Sequence, residues 1–178
     1  MKKNIIITVL SVIILISCTD KKNNDLQKIK DLEIKLVSDS SAIPNFQQSK
    51  ELANYFTSFA KDYPKDSNSV VFLFKAASIN MNIGQASLAI ELYDKIINDY
   101  PNFDKVSDCM FLKAFIYDDK LKDLVKAEVA YKEFLVKYPN HDFAKDAKVC
   151  LNNLGKTPEQ LIKEFEAIQK NDSLNASK

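Results

Sequence analysis

The chain reads AIELYDKIINDYP over residues 89–101, and the same frame recurs as AEVAYKEFLVKYP at 127–139 and LANYFTSFAKDYP at 52–64. Each copy closes on Tyr-Pro, at Tyr63-Pro64, Tyr100-Pro101 and Tyr138-Pro139, with spacings of 37 and 38 residues. A fixed period of that size marks an array of helical repeats. Counting back from each proline aligns the chemistry. Twelve residues before stand Leu52, Ala89 and Ala127; eight before, Phe56, Tyr93 and Tyr131; five before, Phe59, Ile96 and Phe134. Offsets of 12, 8 and 5 put these side chains near one helical face, where neighbours three and four apart meet. The proline then stops the helix, because it has no N–H for the ladder and turns its predecessor away from the α region.

Counting forward finds the partner helices. Ala76 and Ala77 follow Pro64 by twelve and thirteen residues, and Ala114 follows Pro101 by thirteen. A small residue there lets two helices approach closely. Apolar positions such as Phe72, Leu73, Ala76 and Ile79, then Met110, Ala114 and Tyr117, complete these faces. The pattern predicts helices at about 25–37, 45–62, 68–81, 85–99, 104–119, 123–137, 142–153 and 158–170. The last has a defined start, with Thr157 as N-cap, Pro158 at the first helical position, Gln160 closing a capping box, and Gly155 as the preceding stop. Its stripe of Leu161, Ile162, Phe165 and Ile168 suits a helix that seals the end of an array; docking to a partner is the other role open to it.

The frame Ala89-Tyr93-Ile96-Pro101 and Ala127-Tyr131-Phe134-Pro139 resembles the tetratricopeptide repeat. Ile96 and Phe134 depart from it by replacing a small residue, the family's early tryptophan is absent, and the inter-helix loop around Lys120–Lys126 is one residue longer. The resemblance spans roughly residues 44–155. It implies an all-α, right-handed superhelix of antiparallel helix pairs, about three repeats with a C-terminal capping helix, working by protein–protein interaction. The Tyr-Pro ending and long period are similar to those of tetratricopeptide lipoproteins of Gram-negative envelopes, including that of the outer-membrane β-barrel assembly machine. That likeness implies, as an alternative to a general adaptor, an accessory subunit of outer-membrane protein assembly or envelope maintenance.

The N-terminus carries its own signal. Met1-Lys2-Lys3-Asn4 is basic, and Ile5–Ile16 is nearly all apolar. Such a run is short for a membrane span of ~30 Å but suits a secretory leader. It ends in Leu15-Ile16-Ser17-Cys18, which resembles the bacterial lipobox. The resemblance implies cleavage before Cys18, acylation of Cys18, and firm anchoring through two or more chains. Thr19, rather than Asp, then leans towards the outer membrane, facing the periplasm. The expected organisation is a signal peptide at 1–17, a lipidated Cys with polar tether and weak helix at 18–43, a repeat domain at 44–170 and a disordered tail at 171–178.

The remaining composition narrows the function. Net charge is +1 and all basic residues are Lys, which gives no footprint for nucleic acid. Two glycines, Gly84 and Gly155, cannot build a phosphate-binding loop, and they disfavour a turn-rich β fold. His141, the only histidine, reads as a solvated turn residue. Asp99, Asp118 and Asp119 read as solvated helix ends. Cys109 and Cys150 sit about one turn out of register on neighbouring helices, which favours two small buried thiols over a disulfide. No catalytic residue, metal or cofactor is expected. A small hydrolase or ligand carrier, the reading from another class, would need a deep pocket with paired carboxylates.

In the resembled family the first helix of each pair lines a concave groove. Carried over position by position, that groove is Phe74, Ser78 and Met81 in one repeat and Phe111, Phe115 and Asp118 in the next. Exposed there, the phenylalanines and Met81 would receive an extended peptide or amphipathic helix of another envelope protein. The alternative is that the phenylalanines belong to the core, or are covered by residues 25–37.

Overall fold

The structure, a computed structural model, describes the backbone of residues 2–38 and 45–176 and the side chains of 20–38 and 45–170. The side chains of the expected leader and of Cys18, the expected lipid acceptor, and residues 39–44 lie outside what is described. The described residues are all-helical with no strand. They form two compact units, Met1–Tyr100 and Pro101–Lys178, divided at the second Tyr-Pro corner.

The first unit holds α1 (Lys2–Ser38), α2 (Phe46–Asp62), α3 (Ser67–Asn82) and α4 (Ala86–Asp99). Asn45 caps α2, its side-chain oxygen accepting from the N–H of Gln47 at 2.9 Å and Gln48 at 3.3 Å. Asp66 caps α3 through Asn68 N–H at 2.9 Å. The core is aromatic: the Phe56 and Phe72 rings stack at 4.9 Å, and Phe59 meets Phe72 edge-on at 5.0 Å. Ala53, Ala60, Ala76 and Ala77 are buried, letting the helices close together.

The second unit holds α5 (Val106–Phe115), which runs into a single π turn (Ile116–Lys120), then α6 (Leu124–Lys137), α7 (Ala144–Asn153) and α8 (Pro158–Ala176). The π turn accommodates the one-residue excess of this repeat. Leu121 N–H bonds to the Ile116 carbonyl five residues back at 3.0 Å, so the extra residue widens the helix instead of breaking it. The reversal into the next helix then arrives one place late. Gly84 makes it in the first unit at φ +80°, twenty residues after Pro64; Lys122 makes it here at φ +53°, twenty-one after Pro101. A lysine in left-handed backbone is strained where glycine is not.

The three Tyr-Pro corners are nearly superimposable. Tyr63, Tyr100 and Tyr138 have φ/ψ of −128°/57°, −130°/55° and −133°/58°. Each donates its backbone N–H to the carbonyl four residues back, Phe59, Ile96 or Phe134, at 2.8–2.9 Å. The residues counted back from each proline are all core: Leu52, Phe56 and Phe59; Ala89, Tyr93 and Ile96; Ala127, Tyr131 and Phe134 are at most 3 % exposed.

The N-terminal helix differs from expectation. Residues 19–24, which read as a tether, are helical within α1, and α1 docks on the repeat. Ile29 and Leu32 are buried, and Tyr63 donates its hydroxyl to Asp25 at 2.8 Å. Lys21 pairs with Asp62 at 2.8 Å, Lys22 with Asp66 at 2.5 Å and Glu33 with Lys75 at 2.6 Å. The pairs run 22 to 66 and 33 to 75, so α1 lies parallel to α3 and antiparallel to α2. It supplies α2 with the partner helix that α3 gives α4.

At the other end, the Thr157 capping box forms: Gln160 N–H donates to Thr157 Oγ1 at 3.3 Å, and Thr157 N–H to Gln160 Oε1 at 2.8 Å. The stripe beyond it is no seal. Ile162, Phe165 and Ile168 are about 60 % exposed. The helical backbone continues to Ala176, through most of the segment expected to be disordered.

Candidate functional site

The six groove positions fare differently in the two units. In the first, Phe74, Ser78 and Met81 on α3 are half-buried. Phe74 is held edge-on to Tyr93 at 6.0 Å. Ser78 donates its hydroxyl to the Phe74 carbonyl at 3.0 Å and lies 3.3 Å from the Tyr93 hydroxyl. Phe74 and Ser78 line an open groove of about 340 Å³ among α1, α2 and α3, with walls of Leu36, Val37, Leu52, Phe56 and Ile79. The Glu33–Lys75 ion pair stands on its rim. The wall is apolar and its edge charged, the arrangement that seats an amphipathic segment. Met81 is not among the lining residues. Val37, 85 % exposed, extends the apolar surface along α1.

In the second unit Phe111 is core and not groove. It is 8 % exposed, stacks on Phe143 at 4.6 Å and meets Phe134 at 5.7 Å. Phe143 comes from the approach to α7, an aromatic that counting along α5 cannot reveal. Phe115 and Asp118 are half-buried, and Asp118 accepts from the Tyr131 hydroxyl at 3.4 Å. Burial above all, then the hydrogen bond to Cys150 and the nearby Asp118, drives the Tyr131 hydroxyl far above the ordinary range and keeps it protonated. The proposed polar groove residue is therefore a partner for a core tyrosine.

Among the described residues, the constellation that looks catalytic is Ser107, His141 and Asp108. His141 is not the solvated residue expected. Its ring packs against Phe134 at 5.7 Å and Phe143 at 5.5 Å. Nε2 lies 3.0 Å from Ser107 Oγ and 3.3 Å from Asp108 Oδ1. Nδ1 accepts the Phe143 N–H at 3.2 Å, so in the neutral ring Nε2 carries the proton. A general base needs a lone pair towards the serine and its carboxylate on the other nitrogen. Here serine and carboxylate share the protonated nitrogen. The trio ties the start of α5 to the turn before α7.

Cys109 and Cys150 are both free, the first buried and the second half-buried. Burial pushes the Cys109 thiol up to about 12, which makes it a poor nucleophile. Among the described residues no cluster of His, Cys, Asp or Glu could hold a metal ion, and no helix is long and apolar enough to cross a membrane.

Antiparallel helix pairs closed by identical Tyr-Pro corners define a helical repeat protein. The Tetratricopeptide repeat family model matches residues 72–102 and 108–141, so these segments are tetratricopeptide repeats. Such repeats imply a protein–protein interaction scaffold, and their fold is typically non-catalytic. The search of curated proteins finds no match. The match begins within α3 and leaves out α1 and α2. The pairing of those two interrupts the repeat register, since residues 39–45 connect them where only 83–85 connect α3 to α4.

Proposed function

We propose that the protein is a lipid-anchored adaptor of the bacterial cell envelope, and that the first unit's groove holds an amphipathic helix or extended peptide of a partner. The observation that carries the binding site is the apolar wall of Leu36, Val37, Phe74 and Ile79, open to solvent beside a paired Glu33 and Lys75. The anchor reading rests on the order of basic start, apolar run and Leu15-Ile16-Ser17-Cys18. The outer membrane, facing the periplasm, is the location Thr19 favours.

Capture of native partners on the immobilised protein tests the site. Phe74→Asp places a charge on the groove wall and should abolish specific capture while helicity by circular dichroism stays unchanged. Capture equal to the parent by a folded Phe74→Asp protein would reject the groove. Cys18→Ser should move the protein from the membrane to the soluble fraction in a bacterial host.

A further inference from the structure

The docking of α1 has a consequence for the anchor. Cys18 precedes Lys21 by three residues, and Lys21 already lies against the repeat, paired with Asp62 at 2.8 Å. Lys22 follows, paired with Asp66 at 2.5 Å, then Asp25, which receives the Tyr63 hydroxyl at 2.8 Å, and then the buried Ile29 that holds the helix down. Three residues span about 5 Å as helix and at most about 10 Å fully extended. A flexible tether of twenty residues would instead wander roughly 25 Å.

We infer that the first unit binds a lipid surface edge-on, with the Tyr63–Pro64–Lys65 corner seated at the headgroups and the groove standing away from them. This rests on the anchor reading above. The direction follows from the helix order. The start of docked α1, the end of α2 and the start of α3 lie together at the Tyr63 corner, while Asn82 ends α3 about 24 Å away at 1.5 Å per residue. The groove is lined by Leu36, Val37 and Ile79, from the late parts of α1 and α3, and so belongs to the far end. The corner's charge suits such a surface. Lys21, Lys22, Lys61 and Lys65 stand against Asp20, Asp25, Asp62 and Asp66, a balance of charge that an anionic headgroup plane does not repel.

The chain has no tryptophan, so one introduced tryptophan reports its own position. Lys65 and Asn82 are both exposed and accept the substitution. The lipidated protein is reconstituted in phosphatidylethanolamine–phosphatidylglycerol vesicles containing a headgroup-nitroxide lipid. Lys65→Trp fluorescence should be quenched at least threefold more strongly than that of Asn82→Trp. Insertion of eight Gly/Ser residues between Thr19 and Asp20 should bring the two close to equal. Equal quenching without the insertion, in protein whose mass includes the lipid, would overturn the seated corner and leave the anchor standing. An inserted linker without effect on unequal quenching would overturn the short anchor as its cause. A mass without lipid, with Cys18→Ser still partitioning to membranes, would overturn the anchor reading and this inference together.

Discussion

Replacing Ile29 by alanine should release α1 from the repeat and leave the rest of the first unit folded. The ion pairs that fasten α1 are weak holds. Lys21 and Asp62 are 61 % and 44 % exposed, and pairs so open to water add little to stability. The apolar contact is stronger, since Ile29 is 2 % exposed and Leu32 is 6 %. Ile29→Ala removes three buried carbons at about 0.8 kcal/mol each, and the unfilled space brings the loss to about 3 kcal/mol. At 1.4 kcal/mol per decade, α1 should open roughly 100-fold more often. Hydrogen–deuterium exchange with mass spectrometry reads this directly. Amides of residues 24–36 should exchange about 100-fold faster, while those of α3 and α4 hold their parent rates. An equal rise across α2, α3 and α4 would show that α1 is part of one cooperative core, and an unchanged α1 would show that Ile29 does not secure it.

Other expectations follow from the turns, the second core and the charges. Lys122→Gly should raise stability by about 0.5 kcal/mol, because relief of left-handed strain exceeds the added freedom of the unfolded chain. Gly84→Ala should cost about 1 kcal/mol from backbone strain alone, as no atom lies within 4 Å of the new Cβ; thermal melts of both variants check the pair. Phe111→Asp buries an unpaired charge and should destabilise the second unit by more than about 3 kcal/mol, seen as rapid proteolysis within residues 101–170. Asp62 and Asp66 are held below the usual carboxylate range, each foremost by the hydrogen bond from its lysine. Their hold on α1 is therefore complete above about pH 4 and is lost as pH falls through the lowered values, so α1 exchange protection measured at pH 5 and at neutrality should agree after correction for intrinsic rates.

The repeat was legible in the sequence because its signals are local. Proline, the tyrosine before it and the residues 5, 8 and 12 back act within one helix, and all three corners formed as that spacing demands. The Thr157–Gln160 capping box is equally local. The extra residue near Lys120–Lys126 was visible as a count, but its form as a π turn depends on whether the α5 ladder bends or breaks. Less legible were matters settled between helices. Phe74 and Phe111 hold the same place after their prolines, yet one lines a groove and the other is core, because Phe143 stacks on the second alone. The docking of α1 is no more than an alternative in the sequence, because it buries few residues, chiefly Ile29 and Leu32, and its connection to α2 breaks the period. His141 showed the same limit, since its partners Ser107 and Asp108 lie more than thirty residues away.

The proposed function puts the partner of this scaffold in the groove of the first unit. Photo-crosslinking in the native host, from a benzophenone amino acid placed at Phe74 or at Glu91, an exposed position on α4, tests it most directly. A discrete protein adduct should form from position 74, be lost on adding Leu36→Asp to the groove wall, and be absent from position 91. Adducts of equal yield and identity from both positions, or none from 74 while the protein is folded and membrane-bound, would contradict it.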